Sequence, residues 1–484
     1  MMILNKSIYY LFSQVLERIV SFLLIIILFN TALDSEISQW SIFTTSAGII
    51  VSVLTIGMNM LIVREMPNWN PATRYSLFFR FLKLLTLILL LASLFVVLFP
   101  SKLSQLLVGP HGMGVVLATL LAYILIEGSI EICSSFMRVL RHHFFVANTN
   151  LARSIIKIAA ILLSLLDRNV EMREVFTFLL LLEFGLGLCV VLRTTRILQR
   201  PVYGEVVFKP EPIKITDTYK YILLFTLTNA AYSINSFSDR YFILHIIGDQ
   251  ALVKYLVYVF LVSPIVMIYG AITYIIGPEI SIGKFDQQEN QVNFVSKGIR
   301  ILAILVPYIL VIVYLNSNWI LNLLNNRVVD LNFSWLLLMA ISSFILGAHL
   351  VQMSQITLTS NLGRVIPYLL VAAFINLALN YVLISKFGQI GIYIANLASN
   401  IFLLLVSSIF IRSLKHSLSR GIWMPILVFL SRITFFVILI KFFSWSIESY
   451  DEQFWILNFL ALLMMLLETT LWKRGLKNVK KNAD

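Results

Sequence analysis

Asn229, Ser233, Ser236 and Arg240 recur at offsets of 4, 7 and 11 residues, which puts them on one stripe of an α-helix with Asp239 beside it. The stretch around them, NAAYSINSFSDRYFILHIIGDQALVK at 229–254, is otherwise apolar enough to face lipid. An arginine inside such a segment costs about 2.5–3.5 kcal/mol on insertion scales, so it faces a bundle interior, a partner or a water-filled cavity. This helix reads as lining a transport path. Arg18, Arg153, Lys157, Lys254 and Arg432 also fall within apolar spans. Gln14, Arg18 and Ser21 share one helix face, as do Asn150, Arg153, Ser154 and Lys157. Cationic stripes on several helices either anchor neighbouring helices or line a basic cavity for an anionic substrate. On the second reading the substrate-binding set is Arg18, Arg153, Lys157 and Arg240, with Asp239 beside them.

The acids carry a register. A connection centred near His142 puts Glu131 and Arg153 each 11 residues from the turn, and Glu127 and Lys157 each 15. At 1.5 Å per residue these pairs match in depth across an antiparallel hairpin, and within each helix the two charges share a face. Two ion pairs are expected, Glu131 with Arg153 and Glu127 with Lys157. They either neutralise each other and fix helix register, or a glutamate exchanges its partner or its proton during a cycle. Glu183 is a further buried acid to which the sequence assigns no partner. No catalytic group, metal-ligand set or cofactor is expected.

The elements that must hold these residues follow from composition. The chain has 484 residues, 59% hydrophobic and only 13% charged, with a mean hydropathy of +0.89. Its apolar runs approach the roughly 20 residues that span a bilayer. Runs such as LLTLILLLASLFVVLF do not alternate, which excludes a transmembrane barrel. An all-α polytopic membrane protein with about 14 transmembrane helices is expected, at about 8–30, 40–62, 77–99, 113–139, 145–166, 174–193, 220–246, 251–277, 298–316, 334–358, 365–384, 390–411, 422–444 and 453–472. The first run is spanning length with no small-residue cleavage site after it, so it reads as a retained helix. Cys133 and Cys189 lie in apolar runs and read as packing residues. Most of the 37 basic residues fall on the side that carries both termini, which the positive-inside rule makes cytoplasmic. The net charge of +13 fits a basic inner face on an anionic leaflet and calls for no nucleic acid.

NTNLARSIIKI at 148–158 echoes TSNLGRVIPYL at 359–369. Internal repeats are common in transporters, whose site lies between the halves. Two six-helix bundles plus two extra C-terminal helices are therefore expected. The lobes are 1–200 and 220–412, joined by a cytoplasmic linker at 201–219 and followed by helices 13 and 14 at 413–472 and a basic tail at 473–484. Pro264, Gly270, Gly277, Pro278, Pro307 and Pro367 are candidate kink positions, and Tyr232 is an aromatic available for stacking on sugar rings.

Several segments together resemble a known family: SFSDRYFILHIIGD at 236–249 leading into ALVKYLVYVFLVSP, the Gly277-Pro278 break, SSFMRVLRHHF at 134–144, and FGQIGIYIANLASN at 387–400. They are similar to the polysaccharide transporters of the multidrug/oligosaccharidyl-lipid/polysaccharide (MOP) exporter superfamily, with the O-antigen flippases as the nearest group. Lys254 departs from the small residue usual before Tyr255. The resemblance implies a flippase that moves an undecaprenyl-diphosphate-linked oligosaccharide across a bacterial inner membrane by alternating access, with Arg18, Arg153 and Arg240 in its cationic cavity. The implied partners are that lipid-linked substrate, membrane lipids, and the glycan polymerase and glycosyltransferases of the same pathway. A lipid II flippase and a multidrug exporter of the same superfamily are the alternatives. A membrane-bound glycan polymerase or ligase is the alternative of another class, disfavoured by outer loops too short to carry catalytic groups. No phosphate-cradling GxxxxGK[ST] loop is present, which points to an ion or substrate gradient as the energy source.

Overall fold

A computed structural model describes residues 19–20, 22–66, 69–98, 114–140, 142–166, 172–199, 215–281, 288–324, 331–357, 362–413 and 425–438. The long helices are α1 Phe22–Thr31, α2 Asp34–Glu65, α3 Pro71–Leu98, α4 Gly114–Val139, α5 His143–Leu166, α6 Met172–Gln199, α7 Ile215–Ile246, α8 Asp249–Ser281, α9 Gln288–Leu315, α10 Phe333–Thr357, α11 Leu362–Phe387, α12 Gln389–Ser413 and α13 Pro425–Ile438. A short helix, Ser317–Leu323, follows α9. No strand occurs among the described residues. Ten of these helices are long and apolar enough to cross a membrane, and α1 and α13 are shorter apolar helices. The expected span at 453–472 and the tail lie outside the described residues. Leu87, Leu90, Leu91, Leu94 and Leu98 on α3, and Leu181, Phe184, Leu188 and Leu192 on α6, are exposed. Faces of this size are what lipid, rather than water, would cover.

α7 is not among the ten, although it has 32 residues. Its stripe of Asn229, Ser233, Asn235, Ser238, Asp239 and Arg240 lowers its hydropathy, and Ser233, Asn235 and Asp239 are buried. A helix that buries polar side chains in an apolar protein places them against other helices.

Helix ends follow local chemistry, so several helices outrun their apolar spans. Asn70 caps α3 by accepting from the Thr73 N–H at 2.8 Å, with Pro71 at the first helical position, where no N–H is needed. Glu36 accepts from the Leu33 N–H at 2.7 Å and, with Asp34, sets negative charge on the first turn of α2. α7 turns directly into α8 at Gly248, φ +117°, and α11 into α12 at Gly388, φ +61°. Both glycines occupy left-handed backbone, and their N–H groups close onto Ile243 and Ile384 carbonyls.

The chain divides into two compact units, residues 1–253 with 369–389, and residues 254–368 with 390–484. In the first, α2 packs against α7 and α4, and α4 against α6, α3 and α5. Gly57 permits the α2–α7 approach: a Cβ there would press into the Ile222 carbonyl oxygen and lie 2.7 Å from Thr226 Oγ1. In the second, Phe344 stacks on Phe429 at 3.7 Å, and Tyr308 meets Phe436 edge-on at 5.3 Å. Cys133 is buried and free, as a packing residue should be. Cys189 is also free but faces outward, so the packing role expected of it does not hold.

Gly57→Ala is expected to lower thermal stability in detergent micelles by about 1–3 kcal/mol, the range for overpacking a tight contact. Gly185→Ala, where an added Cβ meets nothing within 4 Å, serves as the control and keeps the midpoint or raises it, by up to the roughly 1 kcal/mol by which Ala is favoured over Gly inside a helix. Equal midpoints for both variants would contradict close packing at Gly57.

Candidate functional site

Two polar groups dominate the first unit. The larger lies on α4, α5 and α6. Arg153 on α5 donates through Nη2 to Glu127 on α4, and through Nη1 to Glu131 at 3.4 Å. Lys157 Nζ stands 3.8 Å from the other oxygen of Glu127, and Arg138 Nη2 stands 3.8 Å from Glu131. Tyr123, one turn before Glu127, donates its hydroxyl to Glu127 Oε1 at 2.5 Å. Both pairings expected from depth are therefore present. The primary partner of Arg153, however, is Glu127, four residues away from the expected Glu131. A guanidinium has five donors in a fixed fork, so one arginine spans two carboxylates set one helical turn apart.

This group is well sequestered. The Arg153 and Glu127 side chains are only 15% and 7% exposed, against 30% for Lys157. Glu183 on α6 is fully buried. Neither of its carboxyl oxygens has a hydrogen-bond partner among the described residues, and neither does the Arg153 Nε. Gly187 lets α6 close on α4, since a Cβ there would lie 2.9 Å from Ile126 Cγ2.

The second group lies along the α2–α7 seam. Arg240 Nη1 donates to Thr45 Oγ1, and the Arg240 guanidinium lies 5.4 Å from the Phe237 ring centroid. Ser46 and Tyr241 share a 2.6 Å hydrogen bond between their hydroxyls. Asp239 is buried, and its carboxylate accepts from the Arg240 N–H at 2.8 Å. On α7 one turn of helix thus meets α2 through two successive hydroxyl contacts. Beside it, Ser238 donates to Asn376 Oδ1 at 2.9 Å, and Asn380 on the next turn of α11 donates to the same atom at 2.9 Å.

Arg153, Lys157, Glu127, Glu131 and Glu183 are thus gathered on α4–α6, whereas Arg240 and Asp239 stand on α7 against α2. The ring of Phe43 on α2 lies 5.7 Å from that of Tyr123 on α4, so the helices bearing the two groups meet through an aromatic pair. Arg18, Gln14 and Ser21 lie outside the described residues, as does the Ser236 side chain. Lys254, in the second unit, sits 5.2 Å over the Trp335 ring, in a cluster with Tyr255, Tyr258 and Tyr393.

Sequence reading missed several partners. Tyr123 had a signal, four residues before Glu127 on the same face. Thr45 and Ser46 had none, because single hydroxyls in an apolar helix are not distinctive. In the second unit, buried His349 and Gln352 on α10 converge on Ser407 of α12, at 3.1 and 2.5 Å. Only the spacing His349 to Gln352 hinted at a common face.

At the sequence level no protein-family model and no curated protein matches the chain. Solved structures do match. The lipid II flippase MurJ in an inward closed conformation superposes with a TM-score of 0.69 at 14% identity, covering 98% of this chain and 99% of that one. The chain has the fold of a MOP superfamily transporter. Two further structures share it. A MOP superfamily transporter from Pyrococcus furiosus Vc1 gives a TM-score of 0.63 at 13% identity, over 86% of this chain and 96% of that one. An outward-facing multidrug resistance MATE family transporter gives 0.60 at 12% identity, over 88% and 96%. The protein is a multi-pass membrane protein with this transporter fold.

Removing Arg153 strands a buried carboxylate. Arg153→Met is expected to cost about 3–5 kcal/mol of stability, and adding Glu127→Gln to recover a substantial part of it, because the uncompensated charge goes too. Thermal unfolding of the single and double variants in detergent checks this. Strictly additive losses would contradict the coupling.

Proposed function

We propose that this chain is a flippase that moves an undecaprenyl-diphosphate-linked oligosaccharide, the repeat unit of O-antigen or another surface polysaccharide, across the bacterial inner membrane by alternating access. The observation that carries the reading is the presence of Arg153, Lys157 and Arg240 within the helices of a transporter fold. A diphosphate is strongly anionic, and arginine binds phosphate through two parallel hydrogen bonds. Basic side chains along the path lower the cost of passing that headgroup through a low-dielectric core, while the lipid tail stays in hydrocarbon. Arg240 and Arg18 are assigned to the substrate path. Arg153 and Lys157 reach it only when their carboxylates release them.

In this cycle α2 and α7 part along their seam. The Arg240–Thr45 and Tyr241–Ser46 contacts are between a side chain and a hydroxyl, each worth far less than a buried ion pair to break. Energy comes from an ion or substrate gradient. Both termini are cytoplasmic, and the pathway's glycan polymerase and glycosyltransferases are the expected partners. A lipid II flippase is the second reading, favoured by the end-to-end superposition on MurJ; its substrate carries the same diphosphate on the same type of lipid.

Complementation of a flippase-deficient strain tests the reading. Arg18→Ala and Arg240→Ala at matched protein levels are expected to lose surface glycan and to accumulate the lipid-linked oligosaccharide on the inner leaflet. Normal surface glycan from both would leave these arginines as helix anchors. Rescue of a lipid II flippase depletion, with no effect on surface glycan, would select the second reading. For the topology, a C-terminal green fluorescent protein fusion is expected to fluoresce and a C-terminal alkaline phosphatase fusion to be inactive. The reverse pattern would overturn the orientation.

A further inference from the structure

Among the described residues, Glu183 is a buried acid that the ion-pair group leaves without a hydrogen-bond partner. It is fully buried in the middle third of α6, and both of its oxygens lack a hydrogen-bond partner among the described residues. A carboxylate in that state carries a desolvation cost that no donor offsets. Arg153, the arginine whose charge bears on it, has its own unused donor in Nε.

The surroundings are specific. From α4, Tyr123 faces Glu183 electrostatically, and the Tyr123 hydroxyl is already given to Glu127. From α5, the cations Arg153 and Lys157 act on it. α2 meets α6 where Phe43 stacks on Phe176 at 4.1 Å, so residues near Ile50 lie at the depth of Glu183, and that stretch of α2 is uncharged. α3 meets α6 where Gln199 donates to the Tyr75 hydroxyl. Counting back along α6 from Gln199 and forward along the antiparallel α3 from Tyr75 brings Leu91 to the same depth, again in an uncharged stretch. On α6 itself Glu174 and Arg193 are more than two turns away.

We propose that Glu183 is a proton-binding site, and that its proton decides which carboxylate holds Arg153. With the proton on, Arg153 is shared by Glu127 and Glu131, the arrangement of this structure. When the Glu183 O–H bond breaks and the proton leaves to water, the new carboxylate takes the Arg153 guanidinium, which stays charged throughout. Glu127 is then left to Lys157 and Tyr123. No other bond changes. The site joins proton movement to the group that anchors α5 on α4. The coupling half of this proposal rests on the transport reading; the proton site does not.

Infrared difference spectroscopy of the full-length protein in lipid nanodiscs, recorded across a pH titration, tests the site directly. The expected result is a carboxylic C=O band in the wild type that is lost in Glu183→Gln, kept but displaced in Glu183→Asp, and kept in Glu127→Gln. A band undiminished in Glu183→Gln, or absent from the wild type at every pH, overturns the site. Titration with undecaprenyl diphosphate in weakly buffered solution tests the coupling. The wild type is expected to exchange about one proton per bound ligand, and Glu183→Gln none, with a Kd displaced from that of the wild type by about ten-fold or more, because a locked neutral side chain cannot follow the linkage. Equal proton exchange by both overturns the coupling. Failure of the wild type to bind undecaprenyl diphosphate overturns the diphosphate-lipid reading and the coupling with it, while the infrared band still decides the proton site.

Discussion

The Arg153 guanidinium has to be answered where it stands, and the first unit is arranged around that answer. A charge held at bilayer depth is tolerated when it is paired and hydrogen-bonded. Here Arg153 ties α5 to two successive turns of α4 through Glu127 and Glu131. That contact sets the register of the α4–α5 pair. The rest docks on α4: α6 through the small surface of Gly187, α2 through Phe43 on Tyr123, and α3 through Leu85 against Gly128. Tyr123 belongs to both layers, packing against α2 with its ring and serving Glu127 with its hydroxyl. A change of partner by Arg153 would therefore act on the helix against which α2, α3, α5 and α6 all pack.

The α2–α7 seam is built differently. Its closeness comes from a missing side chain at Gly57, and its polar contacts at Thr45 and Ser46 are to hydroxyls. Small residues and hydroxyls are what allow helices to meet closely without a hydrophobic drive between them. They also part at lower cost than an ion pair buried on both sides. Among the described residues the first unit thus holds a strongly fixed charged group, on α4–α6, and a lightly fixed arginine, on α7.

Much of this was legible because depth in a helical hairpin is arithmetic. Counting from His142 was enough to bring Glu127, Glu131, Arg153 and Lys157 together, and the length of the apolar runs was enough for an all-helical, multi-pass architecture. The resemblance of a few segments pointed to the MOP superfamily, whose fold the structure has. What failed had physical reasons. A one-to-one depth count cannot express a guanidinium that bridges two turns, so Arg153–Glu127 was missed. Helix ends were placed at the edges of apolar runs, whereas Asn70, Pro71 and Glu36 carry the helices into polar sequence. Hydroxyl and amide partners such as Thr45, Asn376 and Ser407 leave no charge pattern to count. Cys189 looked like a packing residue because it sits in an apolar run, but a lipid-facing surface is apolar as well.

A shared fold does not choose a substrate, since MurJ and the MATE transporter superpose on the same helices; the charged side chains must choose it. In this chain Arg153 and Lys157 are already engaged by carboxylates. An anion that drew on them would compete with Glu127 and Glu131 rather than fill a vacant site. A ligand shifts such an equilibrium only by the difference in its affinity for the two arrangements. An anionic headgroup that used Arg153 would thus draw part of its binding free energy from a rearrangement of the α4–α5 contact. The same side chain that fixes the helices would then report that the site is occupied. Arg240, held by a hydroxyl among the described residues, would meet no such competition and would turn to an anion at lower cost.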